Sequence, residues 1–212
     1  MVGSYPVARF LVGLLYRKWL GACTGAENVP KGGAIFCANH SSYLDHLFVG
    51  YYFAKHFHKV PRSLAKKEHF SDPLQWLWHT YVGAIPLDRE AGGQEALEKA
   101  ASLLRKGEWI MMYPEGTRTL TGKLNRAKTG AVRLAIQARV PVIPMGITNT
   151  FYTQPKGRML PRGKRKSDLN IGKPMEFTSR KQPTKAQLRA ATNSLMREIA
   201  KLAKTEYPFE DE

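Results

Sequence analysis

The stretch "AIFCANHSSYLDHLFVGYYFAKH" (34–56) decides how the chain is to be read. Its opening "AIFCA" (34–38) is a short unbroken apolar run, which predicts a strand buried on both faces. Tyr43 to His56 reads as a helix opened by Ser41 or Ser42. Between strand and helix stand an Asn and a His, and Asp45 follows His40 by five positions. Two readings of that junction are open. Ser42-x-x-Asp45 matches a capping box, with Ser42 accepting an early amide bond and Asp45 reaching back to the helix start. Alternatively, His40 and Asp45 converge at the open end of the strand, the carboxylate fixing the imidazole tautomer while the other ring nitrogen removes a proton from a hydroxyl.

Outward from this junction, short runs rich in Ile, Val and aromatic residues alternate with longer helical segments. Strands are expected at "RSLAK" (62–66), within "VGAIPLDR" (82–89), at "WIMMY" (109–113), "VPVIPMGI" (140–147) and "LNIGKPMEF" (169–177). Helices are expected over about 73–81, from Gln94 to Lys106 with Gly107 as the stop, from Lys128 to Ala138, and from Thr184 to Lys204. This alternation predicts a single α/β domain: one sheet with helices on its faces. Its limits are read as 25–205, after an N-terminal segment (1–24) and before an acidic tail (206–212) expected to fray.

The chain has 212 residues and 43% hydrophobic content, enough for one ordinary core. With 33 Lys and Arg against 17 Asp and Glu, the net charge of +16 favours phosphate-bearing partners: nucleic acid, an anionic lipid surface or a small substrate. Cys23 and Cys37 are the two cysteines, and Cys37 sits in a buried run, which fits free thiols in a reducing, intracellular compartment. The N-terminal "MVGSYPVARFLVGLLYRKWLG" has an apolar stretch, Phe10 to Tyr16, far shorter than the roughly 18 residues of a membrane span. It is expected to form an amphipathic helix bearing Phe10, Leu11, Leu14 and Leu15 beside Arg9, Arg17 and Lys18. Such a helix either lies on a membrane or packs on its own domain.

A second constellation is "YPEGTR" (113–118), directly after a strand. Pro114 and Gly116 are ordinary turn residues. Glu115 and Arg118 are not explained by a turn, and Arg118 at a strand end can grip a phosphate with two parallel hydrogen bonds. Lys66 and Arg89 are further cationic candidates at strand ends, each unremarkable as a surface charge when taken alone.

In order, "NHSSYLD" (39–45), "GAIPLDR" (83–89), "YPEGTR" (113–118) and "VPVIP" (140–144) resemble the four blocks of the glycerolipid acyltransferase family, bacterial type. The resemblance runs from about Glu27 to Pro174, and "SLAKKEHF" (63–70) is similar to the family's segment between the first two blocks. It implies a glycerolphosphate-acyltransferase-like sheet and transfer of a fatty acyl group from acyl-CoA or acyl carrier protein to the sn-2 hydroxyl of lysophosphatidic acid. The product would be phosphatidic acid, an intermediate of phospholipid biosynthesis. His40 would be the general base and Asp45 its orienting partner. Lys66, Arg89 and Arg118 would hold the acceptor phosphate; Glu115, Gly116 and Thr117 would shape that pocket; Lys128 would also bind substrate, and Pro144 would help form the acyl or acceptor wall. Backbone amides near the "PEGT" turn are candidates for stabilising the oxyanion.

The resemblance implies no metal and no bound cofactor. It further implies a chain docked on the cytoplasmic face of the membrane and acyl carrier protein as a further partner; by their charge, Arg9, Arg17, Lys18 and the loop "KGRMLPRGKRK" (156–166) are expected to contact the anionic surface. Ala127 departs from the pattern where relatives often carry an aromatic residue. The same dyad would serve glycerol 3-phosphate or another lysolipid as acceptor. A nucleic-acid-binding protein is the rival from another class, but no finger, recognition helix or aromatic RNA platform is identified. A metal hydrolase built on His40, Asp45, His46, His56 or His58 lacks a usual ligand spacing.

Overall fold

Ala34–Ala38 is buried at every residue, as the apolar run requires, and it lies at the centre of a seven-stranded sheet. The computed structural model describes residues 6–81, 83–88, 94–179 and 182–209. Along the chain come α1 (Pro6–Leu15), β1 (Leu20–Thr24), β2 (Ala34–Ala38), α2 (Leu44–Phe57), β3 (Arg62–Lys66), α3 (Pro73–Tyr81) and β4 (Ile85–Leu87). They are followed by α4 (Gln94–Arg105), β5 (Trp109–Met112), α5 (Gly130–Ala138), β6 (Val142–Ile147), α6 (Thr150–Thr153), β7 (Ser167–Ile171) and α7 (Lys185–Ala203). The strand order is β1-β7-β6-β2-β5-β3-β4. The five strands from β6 to β4 are parallel, while β7 pairs antiparallel with β6 and parallel with β1.

Alternation along β2 feeds two cores. Ile35 and Cys37 join Ala100 and Leu104 of α4, Leu134 of α5, and Leu195 and Ile199 of α7. Phe36 and Ala38 join Leu44, Phe48 and Phe53 of α2 on the opposite face. Phe36 meets Phe53 edge-on at 4.9 Å and Trp109 at 5.4 Å between ring centroids. Full burial of such a side chain contributes about 1.5–3 kcal/mol, so both faces of β2 hold the helix layers in place. This three-layer build is the expected α/β class, and it aligns the carboxyl ends of β2, β5 and β6 at one edge, where ligands bind in parallel sheets.

Three local expectations shift. The sheet begins earlier than the sequence indicates, because β1 (LGACT) pairs with β7. No β-branched run marks this strand; it depends on Gly21, where a side-chain carbon would fall 2.9 Å from the Ser167 carbonyl oxygen. The strand expected at 169–177 instead spans Ser167–Ile171, and Met175 makes an isolated bridge to Val142. The tail is held as far as Tyr207, whose hydroxyl bonds Asn193 Oδ1 at 2.9 Å, while the Glu206 carbonyl accepts the Leu124 amide at 3.0 Å.

The N-terminal helix packs on its own domain and leaves an apolar stripe exposed. Its small side lies on α2, with Gly13 against the Tyr51 ring. Val7, Phe10, Leu11 and Leu14, spaced as one helical stripe, are exposed, as is Leu15. Among the described residues no helix is long and apolar enough to cross a membrane.

Candidate active site

Asn39 follows the last residue of β2 and continues its pairing by side chain. Its Nδ2 donates to the Ile147 carbonyl (3.0 Å) and its Oδ1 accepts the Ile147 amide (2.7 Å). The amide group thus imitates one more rung of the β2–β6 ladder and fixes where the chain leaves the sheet. His40 comes next. Its amide donates to Glu115 Oε1 at 2.7 Å, and its carbonyl accepts the Thr119 amide at 2.9 Å. The loop after β5 therefore grips the His40 backbone from both sides.

The imidazole Nδ1 lies 2.9 Å from Asp45 Oδ2. That same oxygen accepts the amides of Ser41 (2.7 Å) and Ser42 (2.8 Å), and Ser42 Oγ accepts the Leu44 amide (3.0 Å). The helix start falls at Tyr43, whose side chain does not cap it, while the reach of Asp45 back to the Ser42 amide and the convergence of His40 on Asp45 run through a single carboxylate oxygen. An oxygen already accepting two N–H bonds is not a donor, so the proton of the His–Asp contact belongs on Nδ1 and Nε2 is left with its lone pair. The Asp45 side chain is 0% exposed and that of His40 14%, which keeps the pair dry while leaving the imidazole edge accessible.

Aromatic groups hold the ring's attitude. Tyr113 stacks on His40 at 4.1 Å with 22° between planes, and His46 meets both rings edge-on at 5.3 Å and 4.6 Å. The Tyr113 hydroxyl is buried and makes no hydrogen bond among the described residues. Burial pushes this phenol well above its usual pKa, and the negative charge of Asp45 adds to the shift.

Glu115 joins two segments, Oε1 to His40 and Oε2 to the Asn125 amide at 2.7 Å. Burial raises its pKa to about 7, outweighing the opposing effect of the Asn125 and His40 hydrogen bonds. Gly116, at φ +70°, turns the chain beneath the Lys128 side chain, and the Lys128 amide donates to the Pro114 carbonyl at 2.8 Å. A Cβ residue is disfavoured at that φ. Thr117 is exposed, with its carbonyl accepting Asn125 Nδ2 at 3.4 Å. The amides of Gly116 and Thr119 are engaged by the Tyr113 and His40 carbonyls, so neither is a spare donor for an oxyanion.

The Arg118 guanidinium lies 3.5 Å over the Tyr43 ring, three residues beyond His40 in the same loop. Its Nη1 is buried and makes no hydrogen bond among the described residues. A cation held this way, with a donor unpaired, is prepared for an anionic group from outside.

The fold thus brings together His40, Asp45, Glu115, Gly116, Thr117, Arg118 and Lys128. Lys66 ends β3 at the same sheet edge, paired with Leu87. Arg89 lies outside the described residues. Pro144 stands within β6 opposite Cys37, with Gly172 donating to its carbonyl at 2.8 Å, inside the sheet and short of the edge where His40 emerges. Ala127, the departure from the aromatic pattern, is buried, and its carbonyl accepts Arg189 Nη1 at 2.7 Å. Asn39, Tyr113, Thr119 and Asn125 are the contributors that motif reading leaves without a role. The first two open the quoted blocks "NHSSYLD" and "YPEGTR", whereas Thr119 and Asn125 carry no spacing signal.

The acyltransferase family model matches residues 22–148. A probable 1-acyl-sn-glycerol-3-phosphate acyltransferase of Mycoplasma pneumoniae is 32% identical over 127 residues, covering 59% of this chain and 48% of that protein. The 1-acyl-sn-glycerol-3-phosphate acyltransferase of Limnanthes douglasii is 32% identical over 170 residues, with 72% and 58% covered. That of Bacillus subtilis is 29% identical over 180 residues, with 83% and 84% covered. The chain spans about half the length of the first two relatives. Among solved structures, the 1-acyl-sn-glycerophosphate acyltransferase PlsC of Thermotoga maritima superimposes with a TM-score of 0.67 at 27% identity, covering 89% of this chain and 73% of that one.

Proposed function

The chain belongs to the acyltransferase family, and from its site we propose that it transfers a fatty acyl group from a thioester to the sn-2 hydroxyl of lysophosphatidic acid, giving phosphatidic acid. The observation that carries this reading is the buried His40–Asp45 contact at 2.9 Å, beside an Arg118 that has an unpaired buried donor. The relatives named for this reaction support the choice of acceptor.

In the proposed reaction His40 Nε2 takes the hydroxyl proton as the acceptor oxygen attacks the thioester carbonyl carbon, and Asp45 stabilises the imidazolium that forms. Collapse of the tetrahedral intermediate breaks the C–S bond, and the imidazolium returns its proton to the departing thiolate. No covalent acyl-enzyme is needed. Arg118, with Lys128 beside the same turn, binds the acceptor phosphate; Lys66 and Arg89 are proposed to assist. The Thr117 and Arg118 amides are our candidates for the oxyanion. The donor is acyl-CoA or acyl carrier protein. The exposed stripe of α1 is proposed to rest on the cytoplasmic face of the membrane, where the acceptor resides.

Thiol release from an acyl thioester, measured with purified protein and a panel of lysolipids, tests this reading. Turnover is expected with lysophosphatidic acid and should be lost in His40→Ala. Equal rates with uncharged lysolipids would reject the phosphate assignment.

A further inference from the structure

Residues 156–166 (KGRMLPRGKRK) carry six cations and no acidic residue, yet at their tip Met159 is 89% exposed and Leu160 74% exposed. The loop is fastened from within. Gln154 Nε2, on a buried residue, donates to the carbonyls of Arg158 (3.2 Å) and Met159 (2.7 Å), and the Arg162 amide donates to the Thr153 carbonyl (2.9 Å). Trp19 Nε1, on the segment leaving α1, reaches the carbonyls of Arg162 (3.2 Å) and Gly163 (3.0 Å). The base of the loop is thereby tied beside the end of α1, whose Leu14 and Leu15 are also exposed.

A fastened loop that holds two large apolar side chains in water, flanked along the chain by six cations, is matched to a surface with an apolar interior and an anionic skin. We propose that this loop docks on an anionic lipid bilayer, with Met159 and Leu160 entering the acyl layer and the flanking Lys and Arg side chains meeting lipid phosphates. Continuity with the α1 stripe through Trp19 makes the attachment two-pronged. A depression of about 270 Å³ between Tyr43 and Gln154, Gly157, Arg158 and Met159 opens where the loop meets the ring that carries Arg118. It gives a headgroup drawn to the loop a path to that guanidinium. The path rests on the acceptor assigned above; the docking surface does not.

The test uses the full chain with Leu160→Asp and Lys164→Glu combined, two exposed positions that do not line the depression. Flotation with phosphatidylcholine vesicles containing phosphatidylglycerol should fall about 10-fold or more relative to the unaltered protein, because one apolar anchor and one cation are lost. Thiol release with a short-chain lysophosphatidic acid, dissolved below its micellar concentration, should persist, while turnover of vesicle-borne acceptor drops. Leu160→Phe should float normally. Unchanged flotation of the double variant would overturn the proposal, as would an equal loss with the dissolved acceptor. A loss confined to donor carried on acyl carrier protein, with flotation intact, would reassign the surface to that acidic partner. If the unaltered protein turns over no acceptor yet floats in a loop-dependent way, the docking surface stands and the assigned reaction falls.

Discussion

Asp45 Oδ2 meets His40 Nδ1 at 2.9 Å while also accepting the amides of Ser41 and Ser42. One oxygen therefore serves both the proposed dyad and the start of α2, and substitutions at the two residues should differ in kind. His40→Ala should reduce thiol release roughly 10²-fold or more with little change in melting temperature. Asp45→Ala should lower both, costing about 1–3 kcal/mol because two buried amides lose their acceptor. Thermal melts beside initial rates would check this; equal melting of the two variants would contradict the shared-oxygen account.

Glu115 ties stability to pH. Its folded pKa of about 7 lies above the ordinary 4.5. Between those values the folded chain holds a proton that the unfolded chain releases. Its favourable contribution is therefore whole below about 4.5 and is lost as pH rises through about 7, on the order of 3 kcal/mol across the window. Glu115→Gln should flatten that slope in melts taken from pH 4.5 to 8. It should also reduce turnover, since Gln can accept only one of the His40 and Asn125 amides.

Arg118→Ala should raise the KM for lysophosphatidic acid about 10-fold or more, the scale of a lost charge-assisted hydrogen bond, and leave kcat less affected. An acceptor lacking phosphate should show no such increase. A fall in kcat alone would place Arg118 in the chemical step instead.

Tyr113 divides into ring and hydroxyl. Tyr113→Phe keeps the stack on His40 and removes a buried, unpartnered hydroxyl, so activity should persist and stability should hold or rise by about 1 kcal/mol. Tyr113→Leu removes the stacked face and should lower kcat while retaining the fold. Circular-dichroism melts and steady-state rates on both variants separate the two contributions.

Sequence alone determined the features set by local chemistry: a buried central strand from "AIFCA", the amphipathic helices, the turn at Gly116, and the four blocks that bring His40, Asp45, Glu115 and Arg118 under suspicion. Such signals survive in one dimension because side-chain periodicity and turn propensity act over a few residues. Tertiary structure decided what depends on distant backbone. Only the folded chain shows Asn39 completing the ladder to Ile147, Glu115 clamping His40, Tyr113 lying on the imidazole, and Gly21 admitting β1 beside β7. These contacts join residues up to 146 positions apart, and no local preference encodes which buried amide will meet which carboxylate.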